Sequence, residues 1–202
     1  MPGCLSARLG RGAARTDSAP GRHLDPGIVA FLRGVNLGAR NKVPMAKLRE
    51  TAGAIGLEGV RTHLQSGNLL FCAPAARGRR MGPELEKALD EATGVNVRVL
   101  VRSEEELASV VSGNPWPQLS GTKLHVFFLA ETPKASSVQK LDPQKFSPEE
   151  FEVRGKHIYV SYPHGMGRSK LGLAYFEKNL LTVGTARNWN TVTKVLELMA
   201  KS

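Results

Sequence analysis

Phe31-Leu-Arg-Gly-Val-Asn-Leu-Gly-Ala-Arg-Asn-Lys-Val-Pro-Met45 is the stretch on which the reading of the fold turns. The β-branched and aromatic run over residues 28–35 predicts a buried strand. Gly34 and Gly38 then permit backbone angles that a Cβ would forbid. Between them and the next helix, Arg33, Arg40 and Lys42, with Asn36 and Asn41, fill a short loop with donors. Pro44 suits the first helical position, where a missing N–H costs nothing. The stretch therefore predicts a strand, a cationic loop and the entry of a helix.

Working outward, Met45, Leu48, Ala52 and Ile55 share one helical face, and Gly56 stands where the helix should end. Short strands over residues 60–64 and 68–71 flank Gln65-Ser-Gly67 as a hairpin. Pro83 opens a second helix with Leu85, Ala88, Leu89 and Ala92 on one side, closed by Gly94. Residues 97–101 read as a fourth strand. The order βαββαβ is the split-βαβ, ferredoxin-like pattern, an antiparallel sheet with both helices on one face.

Residues 103–202 read as a second α+β unit. Ser103 and Glu106 form a capping box, and residues 124–129 make the strongest strand of this half. A weak helix spans 133–141, and strands 151–154 and 157–162 pair across Gly155-Lys156. Ser169 is expected to cap a helix through Leu180. The last helix places Trp189, Val192, Leu196 and Met199 on one face, with Trp189 in the core. The expected fold is α+β: two consecutive ferredoxin-like subdomains, 27–102 and 103–202, behind a disordered basic tail over 1–26. The repetition is one of topology, since no sequence repeat is visible.

Composition bounds the rest. The 202 residues carry a formal net charge of +10 and a pI near 9.9, which fits an anionic partner. No apolar run approaches a membrane span, and no apolar segment in the tail resembles a secretory signal. Cys4 and Cys72 make no disulfide framework and suit a reducing cytoplasm. The five histidines show no ligand spacing, so neither a metal nor another cofactor is expected.

Four stretches carry a resemblance: Phe31-Leu-Arg-Gly-Val-Asn-Leu-Gly with Asn41-Lys-Val-Pro-Met45; Val60-Arg-Thr-His-Leu-Gln-Ser-Gly-Asn68 with Phe71; Gly167-Arg-Ser-Lys-Leu171; and Thr185-Ala-Arg-Asn-Trp-Asn-Thr-Val-Thr193. In this order, across residues 28–200, they resemble the domain of unknown function 1697 family of bacterial proteins. Ala39 departs from it, standing where family loops often carry a second glycine. The resemblance implies two ferredoxin-like halves and supplies no reaction, cofactor or catalytic residues.

Within these stretches the candidate ligand-binding residues are Arg33, Asn36, Asn41 and Lys42; Gln65, Ser66 and Asn68; Arg168, Ser169 and Lys170; and Arg187 and Asn188. No catalytic constellation is legible among them. Ser66 has no assigned base, and strand alternation sets His63 and Gln65 on one face. Arg168, Lys170 and Arg187 at helix starts are misplaced unless they meet an anion. Two classes of function compete. One is a module binding nucleic-acid backbone or a phosphorylated ligand; the other is an enzyme acting on a phosphorylated or carboxylated metabolite between the halves. The alternative for the cations is that they bond the chain's own carbonyls and carboxylates. Convergence of the four stretches on one pocket, against a flat basic face, discriminates between the two classes.

Overall fold

The structure, a computed structural model, describes residues 27–38, 41–78 and 80–200. The expected tail, Ala39 and Arg40 lie outside the described residues.

The first half runs β1 (Gly27–Leu32), α1 (Met45–Ala54), β2 (Glu58–His63), β3 (Asn68–Cys72), α2 (Ala75–Gly78), α3 (Met81–Thr93) and β4 (Val99–Ser103). The second follows as α4 (Glu104–Ser112), β5 (Leu124–Leu129), α5 (Ala135–Val138), β6 (Glu150–Arg154), β7 (His157–Ser161), α6 (Leu173–Leu180), β8 (Gly184–Asn188) and α7 (Trp189–Met199). Two antiparallel sheets result, ordered β2-β3-β1-β4 and β6-β7-β5-β8. These are the two ferredoxin-like halves.

Several boundaries differ from the sequence expectation. β1 stops at Leu32 rather than Val35, because the chain turns at Gly34 and Asn36, whose φ values are 67° and 55°. Pro44 is the extended N-cap residue rather than the first helical one. Ser169 caps no helix: its hydroxyl accepts from the Leu171 N–H, and α6 begins later, after Gly172. β8, which no apolar run announces, forms by pairing Gly184 to Asn188 with β5.

Alternation along the strands distributes three cores. Ile28, Ala30 and Leu32 face α1 and α3, packing on Leu48, Leu85 and Leu89. Phe127 and Leu129 face α6 and pack on Phe176 and Leu180. The third core lies between the sheets, where Val29, Phe31, Val126 and Phe128 meet α4 and α7. Phe31 and Phe128 stack there with ring centroids 4.5 Å apart, a contact that joins the two central strands. Both rings are fully buried.

The halves repeat at the level of single residues. Phe31 pairs with Asn68 and Leu100 in its sheet, as Phe128 pairs with His157 and Thr185 in the other. Val29 faces Arg102, and Val126 faces Arg187. Ser103 and Asn188 then cap α4 and α7.

Candidate functional site

The loop after β1 is held by its own asparagines. Asn36 donates through Nδ2 to the carbonyls of Val43 (2.9 Å) and Gln65 (2.7 Å), and its Oδ1 accepts from the Val43 N–H. Asn41 donates to the Gly34 carbonyl at 3.2 Å. Both asparagines sit at positive φ, which this residue tolerates better than most. The side-chain amide of Asn68 donates to the carbonyl of His63 and the hydroxyl of Ser66, closing the β2–β3 hairpin. This framework holds two apolar side chains in solvent: Leu37, 70% exposed, and Leu64, 58% exposed at φ 58°.

Two of the predicted cations are committed. Arg33 makes a bidentate pair with Glu177 of α6, at 3.1 and 2.8 Å, and Glu177 also accepts from the Gly184 N–H. Arg187 is buried and bonds only neutral acceptors: the Asn68 side chain, the Thr185 hydroxyl, and the carbonyls of Ala186, Leu32, Ser66 and Gly67. Its guanidinium lies 5.1 Å from the Phe31 ring centroid. It ties the last strand to the end of β1 and to the β2–β3 hairpin. Burial lowers its pKa to about 10, so it stays charged at neutral pH. Among the described residues no carboxylate pairs with it.

Arg102 makes the reciprocal tie from β4. It donates to the carbonyls of Val101, Leu129 and Lys156, and lies 5.6 Å from the Phe128 ring centroid. Each arginine bonds the carbonyl preceding it, the last residue of the other half's central strand, and that half's hairpin. They differ in their surroundings. The Glu106 carboxylate partly offsets the burial of Arg102, whereas Arg187 has desolvation alone.

Along the free edge of β8 these elements enclose a cleft of about 730 Å³. Leu32, Val35, Leu37, Leu64, Met166 and Leu173 give it mostly apolar walls. Of the predicted residues, Arg33, Asn41, Ser66, Arg187 and Asn188 line it. Asn36, Gln65 and Asn68 lie behind its walls as scaffolding or beside them. Lys42, Arg168 and Lys170 are exposed, each within three residues of a lining residue, and Ser169 is turned to its own backbone. The third stretch thus reaches the cleft only through its neighbour Met166.

Sequence reasoning missed His125, Thr185 and Thr191, which also line the cleft. His125 lies edge-on to Tyr162, at 5.2 Å between centroids, and its Nδ1 is buried without a partner. Burial drives its pKa down to about 4, so the ring is neutral at physiological pH. A smaller cleft of about 290 Å³ lies at the corresponding edge of β4, lined by Arg102, Glu106 and Lys156 among others.

Comparison with known proteins fits this architecture. The family described as "Protein of unknown function (DUF1697)" matches residues 27–159. The chain belongs to this family. The first two of the four stretches fall inside the matched segment and the last two beyond it. A solved structure of a conserved bacterial protein from Streptococcus pneumoniae is similar, with a TM-score of 0.64 at 20% identity, covering 86% of this chain and 98% of that one. At that identity the likeness speaks for the fold. No curated protein matches the chain. No helix among the described residues is long and apolar enough to cross a membrane.

Proposed function

We propose that this DUF1697 protein binds, in the cleft between its halves, a small molecule with an apolar body and one anionic group. The observation that carries this reading is a concave apolar cleft, built from the distinctive stretches, that contains a buried guanidinium with no carboxylate beside it among the described residues. Its volume of about 730 Å³ is in the range of small-molecule sites. A buried cation is costly without compensation, and a ligand anion supplies that compensation on binding. Lys42, Arg168 and Lys170 at the rim add a positive field that draws anions in without being sequestered inside.

Nucleic-acid binding is the weaker reading. Phe31 and Phe71, the aromatics that a sheet would offer to bases, are buried in the cores and cannot stack. Arg187, whose donors all go to the chain's own acceptors, has none to spare for a phosphate backbone.

A thermal-shift titration at low salt tests the choice. Hydrophobic monoacids should raise the melting temperature and saturate at one equivalent by mass action. Stabilisation by short DNA or RNA that falls steeply with salt, with none from small acids, would reject the reading.

A further inference from the structure

The two related clefts differ at the residue three positions after the helix cap, and that difference identifies what the larger one accepts. In the first half, Glu106 stands three residues after the helix cap. Its carboxylate accepts the Ser103 backbone N–H at 2.9 Å and partly compensates the buried Arg102. The corresponding residue of the second half is Thr191, which lines the large cleft beside Arg187 and Asn188. Asn188 reproduces half of the capping arrangement, its Oδ1 accepting from the Thr191 N–H at 2.8 Å. The other half is missing, because a threonine cannot return a carboxylate to the cap's own N–H. That N–H points to the free edge of β8. The Ala130 N–H bonds the Val183 carbonyl, so alternation along this antiparallel pair turns Asn188 away from β5 and toward the free edge.

Resting on the reading above, we infer that the ligand's anionic group is a carboxylate. It occupies the place that Glu106 fills in the first half, accepting from the Asn188 N–H and the Thr191 hydroxyl beside the uncompensated charge of Arg187. The guanidinium, whose donors are all engaged, acts through its charge. The fit is to a planar carboxylate because a protein carboxylate already solves the same geometry at the related site. Leu37 and Leu64 cover the apolar remainder of the ligand at the cleft mouth.

Two measurements on the full-length chain test this. In the first, hexanoate and phenylacetate are compared with hexanamide and phenylacetamide, and with hexyl phosphate, by calorimetric titration. The acids should bind at least about tenfold more tightly, the scale of a hydrogen bond to a charged group. Equal affinity of acids and amides would overturn the carboxylate and the anionic group of the cleft reading alike, whereas hexyl phosphate binding more tightly than either acid would overturn the carboxylate alone and leave that reading intact. Failure of all five to bind would remove both. In the second, Thr191→Glu supplies the carboxylate from the chain itself. The variant should melt higher than the parent and lose its preference for the acids. A folded variant that keeps the full preference would place the anion elsewhere. If the variant does not fold, the comparison of acids with amides decides alone.

Discussion

Arg187 shows how a residue can look like a ligand site in sequence and serve as a tie in space. In sequence it reads as a cation at a helix start, yet the residue lies on a strand with its donors turned to the chain's own acceptors. Carbonyls contributed by distant residues leave no trace in a local motif, so that part of the site was illegible. Asn36 and Asn41 were legible as loop-formers because positive φ and carbonyl bonding are local preferences. Arg187→Lys should be destabilising by about 3–5 kcal/mol, since an ammonium cannot reach these acceptors and leaves buried carbonyls unsatisfied. Urea denaturation measures this, and a loss below about 1 kcal/mol would show that the tie is dispensable. Leu64 carries the opposite expectation. It is exposed at φ 58°, so Leu64→Gly should relieve roughly 1–2 kcal/mol of backbone strain while weakening ligand binding at the cleft mouth. A variant that is less stable would mean that the side chain packs on the body.

At the scale of elements, capping chemistry is readable at α4 and α3 and misleading at α6, where Ser169 caps nothing. The Ser103 and Glu106 capping box forms as expected, and Gly94 ends α3 in the left-handed conformation. Ser103→Ala should cost about 1 kcal/mol in a chemical denaturation, the usual worth of an N-cap, and no loss would mean that α4 is held by packing alone. Periodicity was less secure. In α7 the buried residues are Thr191, Val192, Val195 and Met199, with Trp189 and Leu196 only partly buried beside them. Trp189 is therefore partly buried, and Trp189→Ala should cost less than the ~3–5 kcal/mol of a fully buried aromatic. β8 escaped notice because Gly184-Thr-Ala-Arg-Asn188 has too few apolar residues to show alternation; tertiary pairing with β5 makes it a strand.

Over the whole molecule, the two ferredoxin-like halves were readable from the order of elements, whereas their joining was not. The aromatic stack of Phe31 on Phe128 and the reciprocal arginines connect residues far apart in sequence. Acid sensitivity belongs at this scale too, because folding buries two histidines of the second half. His125 and His157 are each held near a pKa of about 4 against an ordinary 6.5, both chiefly by burial, with the Arg102 and Arg154 charges adding to it at His157. Depressed values mean that the unfolded chain binds more protons than the folded one between those limits. Stability should therefore be level above pH 6.5 and fall as pH drops from 6.5 toward 4. A melting temperature that rises on acidification through this window would contradict the burial of both rings. The basic charge is partly outside the described body, with Arg8, Arg11, Arg15 and Arg22 opposed by Asp17 and Asp25 in the first 26 residues.

The most direct measurement of the central claim is a backbone-amide NMR titration of the full chain with phenylacetate, repeated with a short DNA duplex at the same low salt. The account predicts that phenylacetate shifts a compact set of amides, including Leu37, Leu64, Asn188 and Thr191, in a saturable one-to-one manner. The duplex should leave those amides unmoved. Shifts spread over the exposed lysines and arginines with the duplex, and none in the cleft with the acid, would contradict it.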